Sequence, residues 1–140
     1  GDTVNLAARL ESACKQYGIY THISEDTYNP IKQNIVVREL DRIKVVGKET
    51  PVTTYELLAL KGEESKSLVE LSDSFSKGIS HYKNQEWKQA KSIFESTERQ
   101  EDMFVGRKTN PSRVYIERCG HYQKHPPVKD WDGVTKLTKK

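Results

Sequence analysis

The hydrophobic pattern of the chain changes period at Lys61-Gly62-Glu63-Glu64-Ser65, a polar stretch that reads as the boundary between two pieces. Before it, residues 35–46 are rich in Val and Ile and read as a strand, bulged near Leu40-Asp41. Residues 51–60 read as a second strand, in which Val52, Thr54 and Glu56 alternate against Thr53, Tyr55 and Leu57. Gly47 to Thr50 supply the turn of an antiparallel hairpin. After the boundary, Leu68, Leu71, Phe75, Ile79 and Tyr82 recur at three and four, the spacing of an amphipathic helix. Trp87, Ala90, Ile93, Phe94 and Thr97 repeat that spacing over residues 86–100. A chain that alternates by two and then by three and four predicts an α+β fold, with residues 1–61 mixed and residues 62–140 all-helical.

The flanks fit the same division. Residues 2–17 read as a helix with a core stripe of Leu6, Leu10, Ala13 and Tyr17, ended by Gly18. Residues 20–23 are short and β-prone, and a brief helix runs from Glu25 until Pro30 stops it. Asn110-Pro111 is a cap followed by Pro at the first helical position, and His125-Pro126-Pro127 ends that helix. Trp131 and Val134 are expected to tuck onto the helices. Lys136, Lys139 and Lys140 read as a solvated tail.

Composition excludes several classes. The net charge is +3, with basic residues scattered among acids, so there is no basic stripe for nucleic acid. No apolar run approaches the roughly 18 residues of a membrane span. Cys14 and Cys119 lie far apart without a CxxC partner, and predict reduced thiols in the cytoplasm. His121 and His125 have helical i, i+4 spacing, but the second precedes Pro126, so no metal site is expected within this chain. Gly1 in place of an initiator Met reads as the start of a fragment.

Asn5 and Arg9 carry the chemistry. They stand four apart within residues 3–10, a helical stretch otherwise of small and apolar residues, so their side chains emerge one above the other. An amide beside a guanidinium on a rigid element makes a clamp for an oxygen-rich anion. By spacing alone they read more readily as a cap-proximal amide and a surface Arg paired with Glu11 or Glu39.

The run Gly1-Asp2-Thr3-Val4-Asn5-Leu6-Ala7-Ala8-Arg9-Leu10-Glu11 resembles the helix motif of the class III nucleotidyl cyclases. Val37-Arg38-Glu39-Leu40-Asp41-Arg42-Ile43-Lys44-Val45-Val46-Gly47-Lys48, then Pro51-Val52 and Tyr55-Glu56-Leu57-Leu58, resemble the hairpin that closes their catalytic domain. The resemblance implies that residues 1–61 are the C-terminal part of a ferredoxin-like cyclase domain, a helix plus a β-hairpin. It implies ATP as substrate, cyclic AMP and pyrophosphate as products, and a homodimer whose interface holds the site. Asn5 would orient the ribose and Arg9 would stabilise charge on the α-phosphate. Two aspartates upstream of Gly1 would hold two Mg²⁺ or Mn²⁺ ions, so this piece would not be active alone. Many relatives place a Lys just before the Gly-Lys of the turn, where it meets the terminal phosphates. That position is Val46 here, which leaves Lys48 or Lys44, with Lys48 the assigned phosphate ligand. The base-selecting residues lie mostly upstream, so guanylate cyclase stays open.

Residues 62–140 resemble a tetratricopeptide (TPR) repeat, with Gly78, Tyr82, Trp87, Ala90 and Phe94 where that repeat wants small residues and aromatics. Some bacterial cyclases carry a similar extension, with a Cys-containing helix, a Pro-Pro and a Trp-Asp-Gly-Val, here Cys119, Pro126-Pro127 and Trp131-Asp132-Gly133-Val134. The extension is a candidate protein-interaction module. A non-catalytic, cyclase-like scaffold carrying such a module is the alternative function.

Overall fold

Among the described residues four strands, β1 (His22–Ser24), β2 (Ile35–Val45), β3 (Val52–Leu60) and β4 (Thr135–Leu137), form one sheet in the order β1-β3-β2-β4, and five α-helices accompany it. The computed structural model describes residues 2–47 and 49–137. Helix α1 (Asp2–Tyr17) lays Leu10, Ala13 and Tyr17 into a core with Leu40, Ile43 and Val45. Leu6 packs at its edge, so the stripe read from the sequence is the buried one. The helix ends at Gly18, which has a φ of +70°, and a Cβ placed there would lie 2.1 Å from the Thr109 carbonyl oxygen. Backbone conformation and close approach both require glycine at this position.

Strand β1 (His22–Ser24) leads into α2 (Glu25–Ile31), which stacks Tyr28 on Tyr55 at 4.3 Å between ring centroids. This helix runs through Pro30 instead of stopping before it. In so short a helix Pro30 interrupts only the last turn. Strands β2 (Ile35–Val45) and β3 (Val52–Leu60) form the expected antiparallel hairpin. The register shifts between Val36 and Val37 and again between Glu39 and Asp41, which places a bulge at the position the sequence indicates. An inserted residue breaks the alternation, so consecutive Leu40 and Asp41 are both buried.

Helices α3 (Lys66–Lys83), α4 (Trp87–Gln100) and α5 (Pro111–Lys124) follow, with a 3-10 turn at Glu101–Met103. Ser65 caps α3 by accepting from the Leu68 amide, and Asn110 caps α5 by accepting from the Arg113 amide. A Cβ on Gly78 would lie 2.8 Å from the Phe94 ring, so α3 and α4 nest at that glycine. Phe75, Tyr82, Trp87, Phe94 and Tyr115 form a second core, and Trp131 packs on its edge against Tyr82, Trp87 and Tyr122.

The tail departs from expectation. Residues 135–137 are not a solvated end but a strand, β4 (Thr135–Leu137), paired in parallel with β2. Leu137 drives this pairing, because it is buried in the core beneath α1. Lys139 and Lys140 lie outside the described residues. The helical piece is also tied to the sheet by charge. Arg38 on β2 is fully buried, and its Nε donates to Glu56 of β3 at 3.0 Å. Its Nη1 and Nη2 donate to Glu101 after α4. Arg107 Nη2 donates to the second Glu56 oxygen at 2.6 Å, and Ser112 Oγ to Glu101.

Two expectations follow. Gly18→Ala should lose about 2–4 kcal/mol, from left-handed strain plus overpacking against Thr109. Gly120→Ala in α5, where an added Cβ meets nothing within 4 Å, should be neutral or stabilising by up to about 1 kcal/mol. Urea denaturation of both variants checks the pair. By the same method, Arg38→Ala should cost about 3–5 kcal/mol by leaving buried carboxylates unpaired. Glu101→Gln should then cost less on that background than on the wild type, and strictly additive losses would contradict the coupling.

Candidate functional site

Asn5 and Arg9 lie one turn apart on α1, with Asn5 exposed and Arg9 half-buried. Arg9 Nη1 donates to the Val46 carbonyl at 3.0 Å. That bond docks the guanidinium on the strand-end turn of the hairpin, where the sequence places the glycine and lysine of the second motif. Of the two acids weighed as partners for Arg9, Glu39 instead accepts from Lys83 at 3.0 Å. Lys48 lies outside the described residues. Lys44 is half-buried on β2, 3.6 Å from the fully exposed Glu49.

A recess of about 260 Å³ opens beside this turn, lined by Lys44, Val45, Val46, Gly47, Glu49, Lys136 and Leu137. Its rim carries two ammonium groups and one carboxylate, so it favours an anion. Among the described residues no group of three His, Cys, Asp or Glu side chains could hold a metal ion. The buried acids are occupied otherwise. Glu56 and Glu101 accept from arginines, and Asp41 accepts from Arg118 Nη1 at 2.9 Å and from the Tyr17 hydroxyl. These residues do not fit a divalent-cation site.

Asp41 is the structural neighbour that sequence reading missed. It is 2% exposed and sits where α1, β2, α5 and β4 meet, with the Tyr115 hydroxyl 3.1 Å and the Thr135 hydroxyl 3.3 Å from Oδ1. Burial first, then the Asp41 charge, pushes the Tyr17 and Tyr115 phenols well above their ordinary range, so both remain donors. The bulge near Leu40-Asp41 was the one sequence signal pointing there. Burial also pushes the Cys119 thiol up to about 11, and burial followed by the Glu11 charge raises Cys14. Both are protonated, free thiols. A second cleft of about 570 Å³ lies between the end of α1 and residues 106–109.

This chain is similar to the terminal-differentiation-specific adenylate cyclase of Dictyostelium discoideum, with 32% identity over 124 residues. The match covers 85% of this chain and 6% of that protein, so the chain spans a small part of its relative. No family model matches the chain, and no solved structure gives a significant match. The chain is thus related to an adenylate cyclase. No helix among the described residues is long and apolar enough to cross a membrane.

His22 supports α1 from below, its Nδ1 2.9 Å from the Leu10 carbonyl. Its Nε2 is buried without a partner. Burial lowers its pKa from the ordinary 6.5, because a second proton would add an unsatisfied buried donor. The unfolded chain therefore takes up that proton first as the pH falls through about 6.5. Stability from neutral His22 is complete above that pH and is lost between it and the lower folded value. His22→Gln, which keeps a donor for Leu10, should show a smaller drop in melting temperature between pH 7.5 and 5.5 than the wild type. An equal drop would assign the acid sensitivity elsewhere.

Proposed function

We propose that residues 1–61 form the C-terminal part of a class III cyclase catalytic domain, ferredoxin-like in architecture, and that residues 62–140 are a TPR-like extension of it. The reaction is conversion of ATP to cyclic AMP and pyrophosphate at the interface of a homodimer. One observation carries the reading: the two polar residues of the α1 motif share a face, and the lower one docks on the turn that carries the second motif.

In such a reaction the ribose 3′-hydroxyl attacks the α-phosphate and pyrophosphate leaves. Negative charge accumulates on the phosphoryl oxygens, so fixed donors act most strongly in the transition state. Arg9 offers further guanidinium N–H groups beyond the one held by Val46, in a rigid plane suited to phosphate. The hydrogen bond to Val46 orients that plane before substrate arrives. Exposed Asn5, one turn away, hydrogen-bonds a ribose oxygen and fixes the sugar. Lys48 adds a point charge for the leaving pyrophosphate. Mg²⁺ or Mn²⁺, when bound, would supply further positive charge, held by two aspartates upstream of Gly1. The extension presents a surface to a protein partner.

The test is complementation. The chain is mixed with a cyclase polypeptide that keeps the metal-binding aspartates but lacks its own Asn and Arg on the corresponding helix. Cyclic AMP is expected, and Arg9→Ala or Asn5→Ala should lower its rate about a hundred- to a thousandfold with an unchanged melt. Product from GTP instead would make the activity a guanylate cyclase. No cyclic nucleotide with either metal would favour the non-catalytic scaffold.

A further inference from the structure

The cleft of about 570 Å³ between the end of α1 and residues 106–109 borders an unmet charge. Arg107 lines it with a side chain only 7% exposed. Its Nη2 donates to Glu56, but its Nε and Nη1 are buried and have no acceptor among the described residues. A buried cationic donor left unpaired is costly, so such groups ordinarily meet an oxygen. The ring centroids of Phe104 and Tyr20 lie 3.9 and 4.8 Å from the guanidinium carbon. Ring faces attract the cation, yet neither replaces an oxygen in the guanidinium plane. The two covers differ. Phe104 is half-buried, whereas Tyr20 is 68% exposed and its hydroxyl donates to the carbonyl of exposed Val105 at 3.1 Å. Tyr20 also lines the cleft, so a turn of that ring opens Arg107 to it with little loss of burial. Gly18 and Ile19 add uncharged wall, and the rim carries Lys15 and Lys108 against one acid, Glu11.

We propose that this cleft binds a small organic carboxylate with an apolar body, whose oxygens accept from the free Arg107 N–H groups once Tyr20 turns aside. A cavity of this size holds a small molecule. An arginine shared by two carboxylates already occurs next door, where Arg38 donates to both Glu56 and Glu101. Arg107 has the first of its pair in Glu56, and the ligand supplies the second. Lys15 and Lys108 offset the added negative charge at the mouth. The apolar body lies against Ile19 and the displaced Tyr20 ring. Gly18 comes from α1 and Thr109 from the extension, so the occupant bridges the two pieces of the chain where their backbones meet. Asn5 and Arg9 do not border the cleft, and the site stands whether or not the chain takes part in cyclase chemistry.

Titration of the isotope-labelled 140-residue chain with naphthoate, followed by NMR, reads this site without turnover. Amide shifts are expected at residues 11–20 and 104–109. Naphthylmethanol, the same ring system without the charge, should bind at least about tenfold more weakly, the scale of one hydrogen bond between charged groups. Arg107→Lys keeps a cation for Glu56 but has fewer donors to offer, and should weaken naphthoate by a similar factor. Ser12→Trp fills the cleft from an exposed position on α1 and should abolish binding with an unchanged melting temperature. Lys124→Gln, on the exposed surface of α5, should bind like the wild type. The proposal is overturned if naphthylmethanol binds as tightly as naphthoate, if Ser12→Trp still binds, or if the shifts are absent or fall elsewhere. A folded Arg107→Lys chain with wild-type affinity overturns it too. Should that variant fail to fold, the uncharged analogue and Ser12→Trp decide the matter without it.

Discussion

The Arg38 guanidinium, wholly buried between Glu56 and Glu101, is the interaction on which the rest of the chain depends. Removing an ion from water costs several kcal/mol, and burial alone would push Arg38 toward deprotonation. The two carboxylates more than offset this, and its pKa is raised. Arg107 joins Glu56 from the other side, so two cations face two anions. The cluster is close to neutral, which is the condition under which a low-dielectric site tolerates charge. Phe75 and Phe104 flank Arg38, and Tyr20 and Phe104 flank Arg107, so aromatic faces take up what hydrogen bonds do not. A hydrophobic contact between sheet and helices could slide. This cluster cannot, because any shift leaves a buried charge unpaired. It fixes where α4 ends relative to β2 and β3.

Asp41 performs the same service one bulge further along. It joins Tyr17 at the end of α1, Arg118 and Tyr115 on α5, and Thr135 on β4. Four elements from both ends of the chain therefore share one carboxylate. The hairpin and α1 alone would bury little and leave strand edges open. Here β1 covers one edge of the hairpin, while β4 pairs with part of the other. The sheet borrows its last strand from the extension, and the extension borrows its rigid footing from the sheet.

The elements were legible because each announces itself locally. The switch in period at residues 61–65, the Asn110-Pro111 start and the helix stop at Gly18 each follow from a constraint within a few residues, whereas Gly78 answers to Phe94 on the next helix. The bulge near Leu40-Asp41 showed as a break in alternation. The ion clusters were not legible. Arg38, Glu56, Glu101, Arg107 and Arg118 look like surface residues in a chain so rich in charge, and only tertiary contact pairs them. Glu56 alternates in step with Val52 and Thr54, but that alternation named neither the buried face nor the partner of the carboxylate. Strand β4 was hidden because Thr135-Lys136-Leu137 is too short for periodicity, and one apolar side chain decides its place. For the candidate site, the spacing of Asn5 and Arg9 gave their shared face. The partner of Arg9 is a backbone carbonyl, a group that residue identity does not reveal.

The same helix that presents Asn5 and Arg9 is clamped at its far end. Tyr17 is held by Asp41 and Arg118, and Gly18 lies against the Thr109 backbone so closely that no side chain fits between. Arg9 pins the near end to the hairpin turn. A helix fixed at two points has little freedom to rotate about its axis, and rotation is what would change the direction in which its amide and guanidinium face. The residues that clamp the far end, Arg118 and Thr109, belong to the extension. The orientation of the α1 pair is therefore a property of the whole chain, and the extension acts on it by holding Tyr17 and Gly18 in place, without touching Asn5 or Arg9.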